Sequence, residues 1–70
     1  MDANALLDAF EDDLIAAGHG SGTYARRLAI LRQNYPAHEA LRLFLSLYLE
    51  ELSPSISERI PGLLREMDEA

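Results

Sequence analysis

The 70-residue sequence predicts an all-α protein, a compact bundle of about four short helices. Leu, Ala, Arg and Glu, which are strong helix formers, dominate the composition, whereas the β-branched residues that favour strands are scarce. Apolar residues also recur every three or four positions, which is the period of an amphipathic helix. The alternating leucines of residues 41–49 would suit a strand, but no second strand-like run exists to pair with it. We therefore expect one helical domain over residues 1–70.

The first helix is predicted over residues 3–17. Asp2 or Asn4 is placed to cap its N-terminus, and Gly18 is placed to end it in the left-handed conformation. A narrow apolar stripe is expected to face the core and consists of Ala3, Leu6, Leu7, Phe10, Leu14 and Ala17.

The second helix is predicted over residues 23–34, after a glycine-rich loop. Ser21 or Thr23 is available to cap it. Tyr35 precedes a proline and so avoids helical angles, which ends the helix there. Its core stripe is expected to be Tyr24, Leu28, Leu31 and Tyr35.

The third helix, predicted over residues 36–52, is the most apolar part of the chain. On a helical wheel its apolar arc covers roughly 240°, against about 100° for an ordinary surface helix. The central stripe is Leu41, Phe44, Leu45, Tyr48 and Leu52, with Ala40, Leu43 and Leu47 on one side and Leu49 on the other. Only Glu39, Arg42, Ser46 and Glu50 form a polar strip. A chain of this length can cover only a small part of this arc with its own residues. We therefore expect the remaining apolar residues to contact another molecule.

The fourth helix is predicted over residues 56–69. Ser55 and Glu58 have the spacing of a capping box, and Pro61-Gly62 inside the helix predicts a kink or a restart. Together the four helices are expected to bury a common core made of Phe10, Leu14, Leu28, Leu31, Leu41, Phe44, Leu45 and Tyr48.

A protein partner is predicted to bind the flank of the third helix through Leu43, Leu47, Ala40 and Glu51. A homodimer is also expected, because small chains usually need disulfides, a metal or oligomerisation for stability. Cysteine is absent, and the two histidines lack a recognised zinc spacing. We therefore expect no metal and no cofactor, and the homodimer would use Leu43 and Leu47.

The densest charge cluster is acidic and consists of Asp8, Glu11, Asp12 and Asp13. Its simplest interpretation is a solvated helix face, with Asp13 paired to Arg27 across an antiparallel hairpin. The alternative is an acidic surface that imitates nucleic-acid phosphates. A net charge of −6 argues against direct nucleic-acid binding, which needs a surplus of basic residues.

The remaining function classes find little support in the sequence. No combination of residues has the spacing of a catalytic set, so we expect a protein that is not an enzyme. No apolar run approaches the ~20 residues that span a bilayer, and no signal peptide is visible, so we expect a cytoplasmic protein without a membrane partner. The leading hypothesis is a small acidic interaction module: an adaptor, chaperone, inhibitor or other regulator of a larger protein. A nucleic-acid mimic and an accessory subunit of an enzyme complex are the alternatives.

Overall fold

The computed structural model describes residues 2–18 and 22–69. In chain order these form α1 (Ala3–Ala16), α2 (Thr23–Asn34), α3 (Ala37–Tyr48), a 3₁₀ turn (Leu49–Glu51), α4 (Pro54–Ser57) and α5 (Ile60–Glu69). The described residues contain no strand. The predicted all-α bundle is confirmed, and the predicted fourth helix is divided into the single turn of α4 and the longer α5.

Local signals at both ends of α1 behave as the sequence predicts. A side-chain oxygen of Asp2 accepts a hydrogen bond from the backbone N–H of Ala5 at 2.8 Å, which caps the helix. Gly18 has a φ of +76°, a left-handed conformation that glycine adopts at little cost. The inclusion of Ala17 in the core stripe is wrong, because α1 ends at Ala16 and Ala17 is exposed.

The N-terminus of α2 differs from the prediction. Gly22 is the N-cap residue, with a φ of +86°, and Thr23 is already the first helical residue. The alternative cap, Ser21, lies outside the described residues. At the other end Tyr35 is extended, with φ −138° and ψ 153°, as its position before Pro36 predicts.

The C-terminal third of the chain is more broken than predicted. After Tyr48 the chain tightens into the 3₁₀ turn, so the third helix does not run uniformly to position 52. Ser53 is the N-cap of α4 and Pro54 occupies its first turn, so the predicted capping box of Ser55 and Glu58 is wrong. Proline suits a first helical turn because its missing N–H would be unpaired there anyway. Pro61 is likewise in the first turn of α5, which is the predicted restart.

The core lies where α1, α2 and α3 meet and is closed by the C-terminal helices. Its buried residues are Leu6, Leu7, Phe10, Leu14, Ala25, Leu28, Leu41, Phe44, Leu52, Ile56, Ile60 and Met67. The predicted core is thus confirmed for Phe10, Leu14, Leu28, Leu41 and Phe44, while Leu31, Leu45 and Tyr48 pack half-buried against them. Tyr35 is exposed, so its prediction as a core residue is wrong. The extended backbone there takes it out of the helical stripe.

None of the helices in the described ranges combines the length and the apolar character needed to cross a membrane.

Candidate interaction surface

Three leucines at the C-terminal half of α3 and in the following 3₁₀ turn remain exposed, and we call them the leucine face: Leu43, Leu47 and Leu49. Their exposed fractions are 37%, 61% and 44%, whereas Leu41 and Phe44 on the same helix are completely buried. The helical period accounts for Leu43 and Leu47, which lie one turn apart on the flank of the buried stripe. The sequence analysis predicted that these two residues are exposed and contact a partner.

Two shallow hollows adjoin the leucine face. The first is lined by Tyr35, Glu39, Arg42, Leu43 and Ser46, and the second by Leu45, Ser46, Leu47, Leu49, Glu50 and Glu51. Ser46 belongs to both, and its hydroxyl donates a hydrogen bond to the Leu43 carbonyl at 2.8 Å. The two hollows thus share Ser46, with Leu43 lining the first and Leu47 and Leu49 lining the second.

Ala40 is not available to a partner, which corrects its prediction as a partner-binding residue. It is completely buried, as are Leu41, which follows it, and Phe44, one helical turn further along α3. The wheel places Ala40 at the edge of the apolar arc, and a single methyl group at such an edge is easily covered by neighbouring structure. Leu47 lies on the same edge but extends further and stays exposed.

Glu51, the fourth predicted contact residue, is exposed, and its side chain is held by a contact with α2. Its carboxylate accepts a hydrogen bond from the Tyr24 hydroxyl at 2.8 Å, which connects the start of α2 to the 3₁₀ turn that follows α3. The ring of Tyr24 packs edge-on to that of Tyr48 at 5.4 Å, and the Arg27 guanidinium lies 5.1 Å from the centre of the Tyr48 ring. These contacts hold one end of the leucine face against α2.

The hydrogen bond to Glu51 raises the pKa of Tyr24 above its ordinary value, because the carboxylate accepts this bond only from the protonated phenol and its negative charge opposes ionisation. A tyrosine whose pKa is raised by folding stabilises the fold below about pH 10, and this stabilisation is lost as the pH rises through the folded-state pKa. We therefore predict that Glu51→Ala lowers the pKa of Tyr24, as measured by NMR titration of the tyrosine ring. An unchanged titration would mean that the bond does not persist in solution.

The acidic cluster on α1 is largely paired within the protein. Arg32 donates hydrogen bonds to Asp8 at 2.8 Å and to Glu11 at 3.1 Å, and its second terminal nitrogen reaches the Asn4 carbonyl at 3.1 Å. Partial burial lowers the pKa of Arg32, but the hydrogen bonds to the two carboxylates outweigh this effect and raise the pKa overall. The two carboxylates therefore present less net negative charge to a partner than the sequence predicted.

The remaining acidic residues of the cluster also behave differently from one another. Asp13 pairs with Arg59 at 2.9 Å, so the predicted pairing with Arg27 is wrong. Arg27 instead lies over the aromatic rings of Tyr24 and Tyr48. Asp12 is exposed and makes no ion pair with any residue in the described ranges.

Another polar contact connects the third and fifth helices. His38 is 2.9 Å from Asp68, which joins the N-terminal end of α3 to the end of α5. Within residues 2–18 and 22–69, no group of three or more His, Asp or Glu side chains is placed to hold a metal ion.

Sequence reasoning missed two features of the surface. Leu49 was placed on the opposite side of the apolar arc from Leu43 and Leu47, but the α-helix gives way to a 3₁₀ turn at Leu49, and this exposed residue lines the same hollow as Leu47. Glu39 and Glu50 were described only as a polar strip, although they border the exposed leucines. Their position close to Leu43 and Leu47 in the chain could have indicated that they border the same surface.

No protein-family model matches this chain, and no curated protein or solved structure shows a significant similarity to it.

Proposed function

We propose that this protein is a small interaction module that regulates a larger protein by binding it through the leucine face. The observation that carries the proposal is the exposure of Leu43, Leu47 and Leu49 within seven consecutive residues. The other apolar residues of α3 are buried or half-buried in the chain's own core. These three leucines lie outside the core, and their exposure supports a contact with a partner.

Exposure of single apolar residues is common, so grouping is what distinguishes the leucine face. Ile15 and Ile30 are also more than half exposed, but they lie on α1 and α2 and line neither hollow of the leucine face. Burial of apolar surface contributes about 25 cal/mol per Å². Several leucines removed from water by one partner therefore supply a binding energy that an isolated isoleucine does not.

The nucleic-acid mimic is the weaker alternative. Such a protein needs unpaired carboxylates that face a basic groove, whereas Asp8, Glu11 and Asp13 each contact an arginine of the same chain. An accessory subunit of an enzyme complex would bind through the same leucine face, so the identity of the captured partner separates it from a regulator.

The test is affinity capture of a tagged chain from the cells that produce it, with quantitative mass spectrometry. We expect Leu43→Ser/Leu47→Ser to lower capture of the partner more than about tenfold, a loss of about 1.4 kcal/mol. Ile15→Ser/Ile30→Ser is the matched control, since it removes as many exposed apolar side chains elsewhere, and it should retain the partner. Circular dichroism should show that both variants remain helical.

A second pair of variants addresses the mimic directly. Asp8→Asn/Asp12→Asn should leave capture nearly unchanged if the leucine face is the binding surface. If the leucine variant still captures the partner and the aspartate variant does not, the proposal is overturned and the nucleic-acid mimic is favoured.

A further inference from the structure

We infer that the partner segment on the leucine face is basic, an amphipathic stretch whose apolar residues lie between Lys or Arg side chains. The inference rests on the proposed function and adds the chemistry of the occupant. It is carried by the placement of unpaired carboxylates around the leucine face.

Carboxylates border the leucine face at both ends. Glu39 lies one helical turn before Leu43 and lines the first hollow, and Glu50 follows Leu47 and lines the second. Both side chains are exposed, and neither forms an ion pair with any described residue. Glu51 adds a third carboxylate to the second hollow. The charge that surrounds the leucines is therefore available to a partner.

Few cations of the chain offset these carboxylates. Arg42 is the one cation among the described residues that line the two hollows. Arg32 and Arg59 contact carboxylates of α1, and Arg27 lies over two aromatic rings. The other two arginines line neither hollow: Arg26 and Arg65. The leucine face is therefore acidic at its rim, in a chain whose net charge is already −6. Charge complementarity calls for a basic partner, which the field of the whole protein would also attract.

A second copy of the chain fits this rim poorly. Glu39 lies in α3 and Glu50 in the 3₁₀ turn that follows it, with Leu43 and Leu47 between them in the chain. An antiparallel pair of α3 helices joined at these leucines would set Glu39 of one copy opposite Glu50 of the other, and a parallel pair would set each glutamate opposite itself. Like charges that face each other oppose association.

The extent of the leucine face also favours a short segment. Its three leucines together expose about as much surface as one and a half fully exposed leucine residues. A standard interface between two folded proteins buries about 800 Å² on each side. A peptide-like occupant that places two apolar side chains in the hollows needs much less apolar area than that.

The experiment uses two synthetic helical peptides and the full chain. The basic peptide carries two leucines one turn apart with lysines beyond each of them, and the acidic peptide has glutamate in place of every lysine. Fluorescence anisotropy at low and high salt measures the Kd of each. We expect the basic peptide to bind at least about tenfold more tightly than the acidic one at low salt, with part of this preference lost at high salt.

Two charge-matched variants locate the effect. Glu39→Gln/Glu50→Gln should weaken binding of the basic peptide about fivefold or more, whereas Asp12→Asn/Glu58→Gln, which has the same net charge, should change the Kd less than about twofold. Equal affinity for both peptides, equal weakening by both variants, or no binding of the basic peptide at millimolar concentration would overturn the inference. A dimer in sedimentation at the concentrations used would also overturn it, in favour of a second copy.

A leucine variant separates this inference from the proposed function. If Leu43→Ser/Leu47→Ser loses the captured partner while Glu39→Gln/Glu50→Gln retains it, only the charge of the partner has been assigned wrongly. If the leucine variant retains the captured partner, the proposed function fails as well.

Discussion

Replacement of Phe44 by alanine is expected to lower the free energy of unfolding by about 3–5 kcal/mol. Phe44 is completely buried, with its ring 6.2 Å from that of Phe10 and 5.2 Å from that of Tyr48. Truncation would remove these contacts and leave a cavity where α1 and α3 meet. The loss is comparable with the whole stability of many domains of this size, so the variant should be largely unfolded near room temperature.

Urea and thermal unfolding followed by circular dichroism measure this effect. Leu47→Ala is the matched control on the same helix, because 61% of Leu47 is already exposed, and it should cost less than about 1 kcal/mol. A Phe44→Ala protein that melts within a few degrees of the parent would show that the core is packed differently.

The helical period was sufficient to predict the class of fold and most of the core. Residues such as Leu28 and Phe44 recur with the period of a helix, and the signals of Asp2, Gly18 and Pro36 act within a few residues. These effects depend on residues close together in the chain, so they can be predicted from the sequence alone. The breaks after Tyr48 and Ser57 were harder to place, because several neighbouring residues offered competing helix starts.

Contacts between distant elements could not be predicted in the same way. The pairing of Asp13 with Arg27 assumed that α1 and α2 alone decide which charges meet. Instead Arg59, from the residues just before α5, reaches Asp13, and Arg27 packs over aromatic rings. A helical wheel gives the direction of a side chain but not what covers it, which is why Ala40 and Leu47 received the same prediction.

This difference between Ala40 and Leu47 leads to the second large effect, which we expect from Ala40→Glu. Ala40 is completely buried, so the variant would bring a carboxylate into the bundle without a partner. A buried charge without a partner costs at least about 3 kcal/mol, and the larger side chain adds strain against its neighbours. Leu47→Glu places the same side chain on the same edge of α3 at an exposed position and should stay folded, within about 1 kcal/mol of the parent.

Urea unfolding of the two glutamate variants and of Ala40→Gln measures these effects. Because glutamine has nearly the shape of glutamate without its charge, the difference between the two substitutions at position 40 isolates the cost of the buried charge. Ala40→Gln should therefore lie between the parent and Ala40→Glu. Partner capture then completes the comparison: Leu47→Glu should lose the partner while folded, whereas Ala40→Glu should lose it by unfolding. If Ala40→Glu is as stable as Leu47→Glu, position 40 is accessible to solvent and the correction of its prediction is wrong.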